Sequence, residues 1–358
     1  MPRVHPRCDP GSVGIGDPVT LGELCYGLSS SRVPLKSIAS SVPDPLPEEL
    51  TIIRKLSAAE ARSLVGGLLD GPVKEAVEMS AFAGNQVFRI QRDTLVSFLK
   101  LAADPGLRRE VAVLNVLGRV GVPVPLIQAA DPSGELAGVP CVLLRQVDGE
   151  PVDCASPEFG LAGRVLRQVH EVMLAGYGSL VASSEGLCGE DQSWADTISG
   201  RMAGLGLIAE TGLVDAGLLD QAGAAVRELS DVFANVAGGH LLHGDFNPRH
   251  VYAHGGHITG IIDWGDAVCG DPVYDLGRVF HSAMLEAVDI KYGLDVVKRL
   301  LKTYGDAPWL AGGLTESLLV YAAVFIVWSM QGELAGGAPW PPWWPIQSRA
   351  LAKIVDAL

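Results

Sequence analysis

Hydrophobic and polar positions follow two different periods along this chain. Between residues 73 and 149 they form short alternating runs, which indicate β-strands because successive side chains of a strand face opposite sides. Strands are therefore predicted for the segments VKEAVEM, VFRIQ, TLVSFLKL and VPCVLLRQVDG. After about residue 155 the hydrophobic spacing becomes helical, so the rest of the chain is predicted to be mainly α-helix.

Two helices are predicted in the first half of the chain from their end signals. Ser57 is followed three residues later by Glu60, a capping-box pattern, and a glycine at 66, 67 or 71 would end that helix. Asp104 is predicted as the N-cap of a second helix, with Pro105 at its first position and Gly121 beyond its end.

One β-hairpin interrupts the helical second half. In the segment VYAHGGHITGIID, two β-favouring runs flank Gly255 and Gly256, which is a hairpin signal. A turn centred on these glycines places His250 opposite Ile261 and diagonal to Asp263 at the open end of the hairpin. Diagonal side chains in an antiparallel pair lie roughly 7–8 Å apart, which is close enough to share a metal ion.

The order of these elements predicts an α+β fold with two lobes. Residues 1–48 are rich in Pro, Gly and Ser without a sustained period, and they are predicted to form a poorly structured extension. Residues 49–146 are predicted to form a small β-rich N-terminal lobe, and residues 147–358 a larger, mainly helical C-terminal lobe.

Composition narrows the classes of function. The formal net charge of −14 argues against nucleic acid or an anionic membrane as a partner and would suit a cationic small substrate. The six cysteines are widely spaced without a C-x-x-C pair, which favours a reduced, cytoplasmic setting. The most apolar run, LLVYAAVFIVW, is shorter than the roughly 20 residues of a membrane span, so a buried helix is predicted there.

The segment HGDFNPRHV contains the candidate catalytic and metal-binding residues of the sequence. In phosphoryl-transfer enzymes an Asp base is often followed five residues later by a metal-binding Asn, whereas here His250 takes that position and the Asn is Asn247. Asp245 and Asp263 at one end of the hairpin would supply the two carboxylates of metal-assisted phosphoryl transfer. The alternative is that both are turn or cap residues and His243 is a packed core histidine.

The stretch from His243 to Val279 resembles the catalytic segment of the aminoglycoside phosphotransferase family, which has a protein-kinase-like fold. The usual family loop is H-G-D-L-H-P-G-N, followed by I-D-W-x-x-A and G-D-P-x-x-D-L, and this chain reads HGDFNPRH, IDWGDA and GDPVYDL. A weaker resemblance extends over residues 50–358. It implies that Asp245 is the catalytic base, that Asp263 is the principal Mg²⁺ ligand, and that His243 and Asp271 support the loop.

The resemblance also assigns roles in the N-terminal lobe. Lys100 ends a predicted strand and Glu110 lies on the following helix, so the two are expected to pair and to place Lys100 on the α- and β-phosphates of a nucleotide. The alternative is that both are ordinary surface charges, with Arg108 and Arg109 competing for the acid.

Two further segments resemble nucleotide-contacting parts of the family. SAFAGNQVF is similar to the turn that covers the phosphates, where the backbone N–H groups near Gly84 and Asn85 would face the nucleotide. CVLLRQVDG resembles the hinge: Leu144 would lie behind the base, and the Arg145 carbonyl and the Val147 N–H would bind its edge.

His250 departs from the usual family pattern and leaves three interpretations. It could coordinate the metal and favour Mn²⁺ over Mg²⁺, which prefers oxygen ligands. It could donate a hydrogen bond to Asp263 or to a phosphate, or the chain could be a pseudokinase. The macrolide phosphotransferases, a branch of the same family that tends to use GTP, also carry H-G-D-x-x-x-x-H and are active, which favours an active kinase.

The resemblance therefore predicts a small-molecule O-phosphotransferase, a monomer or homodimer, that acts with Mg²⁺ or Mn²⁺. It would transfer the γ-phosphate of GTP or ATP to a hydroxyl group of an aminoglycoside, macrolide or nucleoside antibiotic and so confer resistance or self-resistance. The alternatives are a metabolic kinase of a sugar or amino alcohol and a nucleotide-binding pseudokinase scaffold.

Overall fold

The computed structural model of the protein describes residues 54–80, 85–183, 186–335 and 343–358. The extension predicted for residues 1–48 lies outside this part, as does Gly84 of the turn predicted to cover the phosphates. A small β-rich lobe is followed by a larger lobe in which helices predominate, so the predicted α+β class is confirmed.

The N-terminal lobe is an antiparallel sheet with two helices. Its elements are α1 (Ala58–Leu68), β1 (Glu75–Ser80), β2 (Gln86–Arg92), β3 (Leu95–Leu101), α2 (Asp104–Arg119), β4 (Ile127–Asp131) and β5 (Cys141–Arg145). The strands lie in the order β1-β2-β3-β5-β4. The four predicted strands and both predicted helices are present, and β4 is a strand that the sequence pattern did not predict.

The helix starts follow their capping chemistry. The Ser57 hydroxyl accepts the Glu60 N–H and the Glu60 carboxylate accepts the Ser57 N–H, so the predicted capping box of α1 is confirmed. Helix α2 begins one residue earlier than predicted, with Asp104 inside the helix and Ala103 as its N-cap. Pro105 is tolerated in either case, because the N–H groups of the first turn have no partner within the helix.

The C-terminal lobe surrounds two further sheets with helices. Its strands are β6 (Glu150–Pro151), β7 (Met173–Leu174), β8 (Tyr177–Ser183), β9 (Gly186–Asp191), β10 (Gly239–Leu242), β11 (Val251–His254), β12 (His257–Ile261) and β13 (Val268–Gly270). Its helices are α3 (Pro157–His170), α4 (Trp194–Arg201), α5 (Leu205–Glu210), α6 (Ala216–Glu228), α7 (Asp231–Ala234), α8 (Val273–Ala287), α9 (Ile290–Tyr304), α10 (Leu314–Ala335) and α11 (Trp344–Ala357). Short 3₁₀ helices span Pro248–His250, Trp264–Asp266 and Pro308–Leu310.

The expectation that the hairpin is the only β-structure of this lobe is wrong. A five-stranded sheet has the order β7-β10-β13-β8-β9, and the hairpin β11–β12 is extended by β6 into a three-stranded sheet. Strands β7 and β13 are only two and three residues long, which is too short for a periodic signal. Strands β8 and β9 are rich in glycine and serine, which are poor strand formers.

The hairpin register also differs from the predicted one. His254 pairs with His257 as expected from a turn at Gly255 and Gly256, but a bulge shifts the pairing by one residue, so that Val251 and not His250 lies opposite Ile261. Thr259 occupies the bulge, and its hydroxyl donates to the Asp148 carbonyl. A side-chain contact to another segment produces this shift, and hairpin periodicity does not reveal it.

The hydrophobic core of the C-terminal lobe is built around α10, which packs against α8 and α11. The ten residues from Leu318 to Val327 are all buried, so the predicted buried helix is confirmed. Within the described residues α10 is the one helix with the length and mean hydropathy of a membrane span: its segment Leu314–Leu334 has 21 residues and a mean hydropathy of 1.4, yet 67% of its apolar window is buried. The indoles of Trp343 and Trp344 both donate to Glu333 and so fix α11 to the end of α10.

Candidate active site

Lys100 forms the centre of an ion cluster between the two lobes. Its Nζ atom lies 2.8 Å from Glu110 Oε2 on α2 and 3.1 Å from Asp263 Oδ1 after β12. The Lys100 and Glu110 side chains are only 14% and 3% exposed, so water screens this pair weakly. Burial alone would lower the pKa of Lys100, but the charges of Glu110 and Asp263 outweigh that effect and raise it. The predicted contact between Lys100 and Glu110 is thus present.

Asp263 has an unusual backbone conformation. Its φ of 63° and ψ of 67° lie in the left-handed region, which costs a non-glycine residue on the order of 1 kcal/mol. The conformation turns the chain from β12 into the 3₁₀ helix that begins at Trp264, whose buried indole donates to the Ile261 carbonyl at 2.9 Å. Burial would raise the pKa of Asp263, but the charges of Lys100 and His250 hold it below its ordinary value. Asp263 is therefore ionised at neutral pH.

The turn after Asp263 also touches the N-terminal lobe. A Cβ atom on Gly265 would lie 3.4 Å from Lys100 Nζ, so a side chain at this position would contact the ion cluster. Arg109 on α2 donates from Nη2 to the Gly265 carbonyl at 2.9 Å. Arg109 thus binds the C-terminal lobe and does not compete with Lys100 for Glu110, as the alternative from the sequence would require.

The loop that carries Asp245 is held by its glycine and its first histidine. Gly244 has a φ of +80°, and a Cβ atom there would lie 1.8 Å from the Asp266 carbonyl oxygen, so only glycine fits. His243 Nε2 donates to the Ile262 carbonyl at 3.0 Å, and its Nδ1 accepts the Asp245 N–H at 3.3 Å. Complete burial lowers the pKa of His243, which keeps the ring neutral. These contacts agree with the predicted role of His243 in supporting the loop.

Asp275 on α8 anchors the same loop. Its carboxylate accepts the His243 N–H at 2.7 Å and the Gly244 N–H at 2.9 Å. His170 on α3 lies 3.1 Å from the same carboxylate through Nε2, and both side chains are fully buried. We call Asp275, His170 and the two backbone N–H groups the loop anchor.

Asp271, which the sequence predicted as a support of the loop, makes its contacts elsewhere. It accepts the Val273 N–H at 3.0 Å at the start of α8 and the Tyr321 hydroxyl at 2.5 Å on α10. Burial raises its pKa, although the hydrogen bond from Tyr321 opposes this. Asp271 therefore fixes α8 against α10, and the direct contacts to the loop belong to Asp275.

A nitrogen-bearing side chain approaches each carboxylate oxygen of Asp245. Arg278 on α8 donates from Nε to Oδ1 at 2.6 Å, and His250 Nδ1 lies 3.6 Å from Oδ2. Sequence analysis missed Arg278. The available signal was its spacing, because Arg278 is three residues after Asp275 on a helix whose other inward positions are mostly apolar.

His250 lies between the two carboxylates of the site. Its Nε2 is 3.7 Å from Asp263 Oδ2, and its Nδ1 is 3.1 Å from both the Asp245 carbonyl and Asn247 Nδ2. A proton on Nδ1 would bond to the carbonyl and leave Nε2 as a lone pair facing Asp263, whereas a proton on Nε2 would face Asp263 as a donor. The Asn247 side chain bonds to the loop backbone, as expected from its displaced position.

The residues present suit a cation that arrives with a nucleotide. No three His, Cys, Asp or Glu groups among the residues that the structure describes already converge as a metal site. Mg²⁺ in phosphoryl-transfer sites is commonly held by one or two carboxylates together with phosphates and water. Burial and the charges of Asp245 and Asp263 raise the pKa of Asp266, which shows that negative charge is crowded here and that a cation would relieve it.

The predicted hinge lies beside the catalytic hairpin. Leu144 and Arg145 end β5, and Val147 follows; Leu144 and Val147 are half-buried and Arg145 is exposed. A Cβ atom on Gly260 of β12 would lie 2.5 Å from Val147 Cγ1, so glycine is needed where the hinge crosses the hairpin. Asn85, next to the predicted phosphate-covering turn, is half-buried immediately before β2. The nucleotide contacts of these residues stay predictions.

Comparison with known proteins identifies relatives of this chain. The profile of the family described as "Phosphotransferase enzyme family" (APH) matches residues 78–312, more than half of the chain. The hygromycin-B 4-O-kinase of Escherichia coli is 42% identical over 99 residues, which cover 20% of this chain and 29% of that enzyme. The chain thus spans less than a third of the length of this curated relative.

Several solved structures share the fold at low sequence identity. The aminoglycoside phosphotransferase APH(4)-Ia, solved as a ternary complex with AMP-PNP and hygromycin B, has a TM-score of 0.65 at 16% identity, covering 84% of this chain and 99% of that one. A putative fructosamine-3-kinase from Thermobifida fusca has a TM-score of 0.60 at 19% identity, with coverages of 83% and 98%. The choline kinase LicA from Streptococcus pneumoniae has a TM-score of 0.58 at 12% identity, covering 83% of this chain and 98% of that one. The predicted bilobal kinase-like fold is confirmed.

Proposed function

Because the chain belongs to the phosphotransferase enzyme family, we propose that it transfers the γ-phosphoryl group of GTP or ATP to a hydroxyl group of an antibiotic or related natural product. The observation that carries the proposal is the convergence of Asp245, His250 and Asp263 beside the Lys100–Glu110 ion pair. This arrangement would provide a base and a cation-binding carboxylate side by side at the junction of the lobes, as phosphoryl transfer requires.

Each residue of the site has a separate task in this proposal. Lys100, fixed by Glu110, would bind the phosphates of the donor, and Asp263 would hold Mg²⁺ or Mn²⁺, which would neutralise the developing charge on the phosphoryl group. Asp245 would orient the acceptor hydroxyl through a carboxylate oxygen and accept its proton as the new P–O bond forms. The hinge residues Arg145 and Val147 would bind the edge of the base through their backbone.

The site geometry supports an active kinase over a pseudokinase scaffold. The left-handed conformation at Asp263 and the absence of a side chain at Gly244 are demanding local features, and both hold carboxylates at the cleft. The Lys100–Glu110 pair is also buried and close, with 2.8 Å between Nζ and Oε2. His250, at 3.7 Å from Asp263, is close enough to contact a cation bound to that carboxylate, and we propose that it does so directly or through water.

The proposal that the acceptor is an antibiotic is supported by the relatives of this chain. The E. coli relative is a hygromycin-B 4-O-kinase, and one structure neighbour was solved with hygromycin B, so resistance or self-resistance to an aminoglycoside, macrolide or nucleoside antibiotic is the proposed role. The neighbours bind an adenine-nucleotide analogue or ADP, while the His250 pattern of the macrolide branch supports GTP.

The experiment that tests the function is a turnover screen. Purified protein is incubated with Mg²⁺ or Mn²⁺, with ATP and GTP in parallel, and with antibiotics from the three classes, and nucleoside diphosphate release and a product mass increase of one phosphoryl group are measured. We expect acceptor-dependent turnover with at least one antibiotic. A protein that binds AMP-PNP but phosphorylates no acceptor of any class would contradict the proposal.

A further inference from the structure

Arg278 places a fixed positive charge on the acceptor side of the catalytic base. It approaches Asp245 through Oδ1, whereas His250 and the cation-binding Asp263 lie on the side of Oδ2. The Arg278 side chain is 15% exposed and belongs to α8, in the lobe opposite the predicted hinge and phosphate turn. An acceptor hydroxyl that reaches Asp245 must therefore come close to this guanidinium.

Arg278 keeps donor capacity that none of the described residues uses. Its Nε donates to Asp245, and its Nη1 donates to Ser282 Oγ and lies 3.3 Å from His281 Nδ1. Its Nη2 has no hydrogen-bond partner among the described residues, and it is not one of the enclosed atoms without partners. The outward edge of the guanidinium is thus open to solvent and can bind an incoming oxygen.

A second unused donor lies on the same face of α8. His281 is buried, its ring is stacked on Phe325 at a centroid distance of 6.0 Å, and its Nε2 has no partner in the part of the chain that the structure describes. Because Arg278 can only donate, His281 Nδ1 must accept and Nε2 carries the proton. This N–H is enclosed among the described residues, so His281 orients the Arg278 guanidinium through Nδ1 and does not itself contact an incoming oxygen.

Arg278 packs against a group of aromatic rings that also contacts a second arginine, Arg201. The Arg278 guanidinium lies 5.7 Å from the Phe325 ring centre, and Phe325 contacts Tyr274 at 4.2 Å between ring centres. Arg201 lies over both Tyr274, at 4.9 Å, and Trp328, at 4.4 Å. Phe325 and Tyr274 are buried, so these rings form the packing behind the guanidinium groups and leave the outward edge of Arg278 to meet a ligand.

We propose that Arg278 makes the acceptor site selective for a molecule that carries an anionic group, such as a carboxylate or a phosphate, close to the hydroxyl that is phosphorylated. The inference deepens the proposed function and rests on it for the identity of Asp245 as the base. Arg278 binds the anion through Nη2 while Nε keeps Asp245 in place, so the inference narrows the proposed acceptors to those that carry an anionic group and disfavours the polycationic aminoglycosides.

The test measures binding, so that it does not depend on turnover. The protein is saturated with AMP-PNP and Mg²⁺ to occupy the phosphate side, and it is titrated by calorimetry with gluconate, glucitol and glucamine, which share one carbon skeleton and carry charges of −1, 0 and +1. Inorganic sulfate is titrated as a fourth probe. We expect gluconate to bind at least tenfold more tightly than glucitol, glucamine to bind more weakly than glucitol, and sulfate to compete with gluconate.

Three variants separate the role of the charge from folding. Arg278→Gln should bring gluconate and glucitol within about twofold of each other, whereas Arg278→Lys, which keeps the charge, should retain part of the preference. Arg164→Gln, at an exposed position of α3, serves as the matched control and should behave as wild type. Equal binding of gluconate and glucitol by the wild type, a preference for glucamine, no detectable binding of gluconate and sulfate, or an unchanged preference in Arg278→Gln would each overturn the proposal. A failure of AMP-PNP itself to bind would instead count against the proposed function.

Discussion

The two halves of the active site hold their key carboxylates in different ways. On the phosphate side, Asp263 is 52% exposed and is held by a charge pair with Lys100 that spans the two lobes. On the acceptor side, the loop of Asp245 is held by the loop anchor, in which a fully buried carboxylate accepts two backbone N–H groups of one lobe.

This difference separates the contacts that stabilise the fold from the contacts that position groups for catalysis. Charge pairs near solvent contribute little to folding, but they position groups that must meet a ligand. Buried hydrogen bonds to a carboxylate contribute more, and their loss leaves polar groups without partners. We therefore expect substitutions on the phosphate side to reduce activity with little loss of stability. Substitutions in the loop anchor should reduce stability before they reduce activity.

The largest expected effect is at the base itself. Asp245→Asn keeps the size of the side chain but removes its ability to take a proton, so kcat should fall by about 10³-fold or more. AMP-PNP affinity, measured by calorimetry, should stay within about twofold, because Asp245 lies on the acceptor side. Asp220→Asn, exposed on α6, is the matched control. Turnover that survives in Asp245→Asn would mean that another group acts as the base.

The loop anchor should show the largest effect on stability. Asp275→Ala removes the acceptor of the His243 and Gly244 N–H groups and leaves buried donors behind, so the free energy of unfolding should fall by roughly 2–4 kcal/mol. Denaturant unfolding followed by circular dichroism measures this loss. Asp220→Ala should change it by less than about 0.5 kcal/mol. If Asp275→Ala changes the free energy of unfolding by a similarly small amount, the two halves of the site do not differ in how they contribute to stability.

The phosphate side should show the opposite balance. Glu110→Gln keeps an oxygen for Lys100 but removes the charge, so Lys100 is drawn towards Asp263 and away from the phosphates. We expect kcat/KM for the nucleotide to fall by about tenfold and the free energy of unfolding to fall by less than in Asp275→Ala, because Asp263 still compensates the charge of Lys100. Glu135→Gln, on an exposed turn, is the control, and a large drop in stability without loss of activity would contradict this view.

Acid should weaken the C-terminal lobe through its buried histidines. Burial and the nearby Arg278 charge lower the pKa of His281 well below its ordinary value, so the folded protein stays neutral there while the unfolded chain takes up a proton below about pH 6.5. The unfolded state then binds more protons, and stability falls as pH decreases. Per such histidine the loss is up to about 1.4 kcal/mol for each pH unit. His281→Phe should reduce the slope of unfolding free energy between pH 6.5 and 5.0 by about this amount, and an unchanged slope would show that His281 does not contribute.

The smallest expected effect concerns the choice of metal. His250→Asn replaces an imidazole with an oxygen ligand near Asp263, so the variant should keep activity within about tenfold and shift its preference from Mn²⁺ towards Mg²⁺. The ratio of turnover with the two cations measures the shift. An identical ratio in both proteins would exclude contact between His250 and the cation.

The sequence predicted the centre of the site better than its surroundings. The motifs named Asp245, His250, Asp263, Lys100 and Glu110, and the structure brings all five to one cleft, because local turns and two strands fix their positions. These residues lie in segments whose spacing is itself the signal.

What the sequence could not predict depends on contacts between distant segments. The bulge at Thr259 follows from its bond to Asp148, 111 residues away, and no local period reveals it. Arg278 and His170 reach the loop from two separate helices, and single charged or polar residues on helices are normally solvent-facing or core positions without further meaning. The second sheet was missed because its strands are short or glycine-rich and have no clear periodic signal of their own.

The tight fit between Gly244 and the Asp266 carbonyl joins the loop of Asp245 and the turn of Asp263 into one rigid block. The separation of these two carboxylates is consequently set inside a single lobe. Because Asp275 and Arg278 tie the same block to α8, any remodelling of that helix to admit a new acceptor would also displace Asp245.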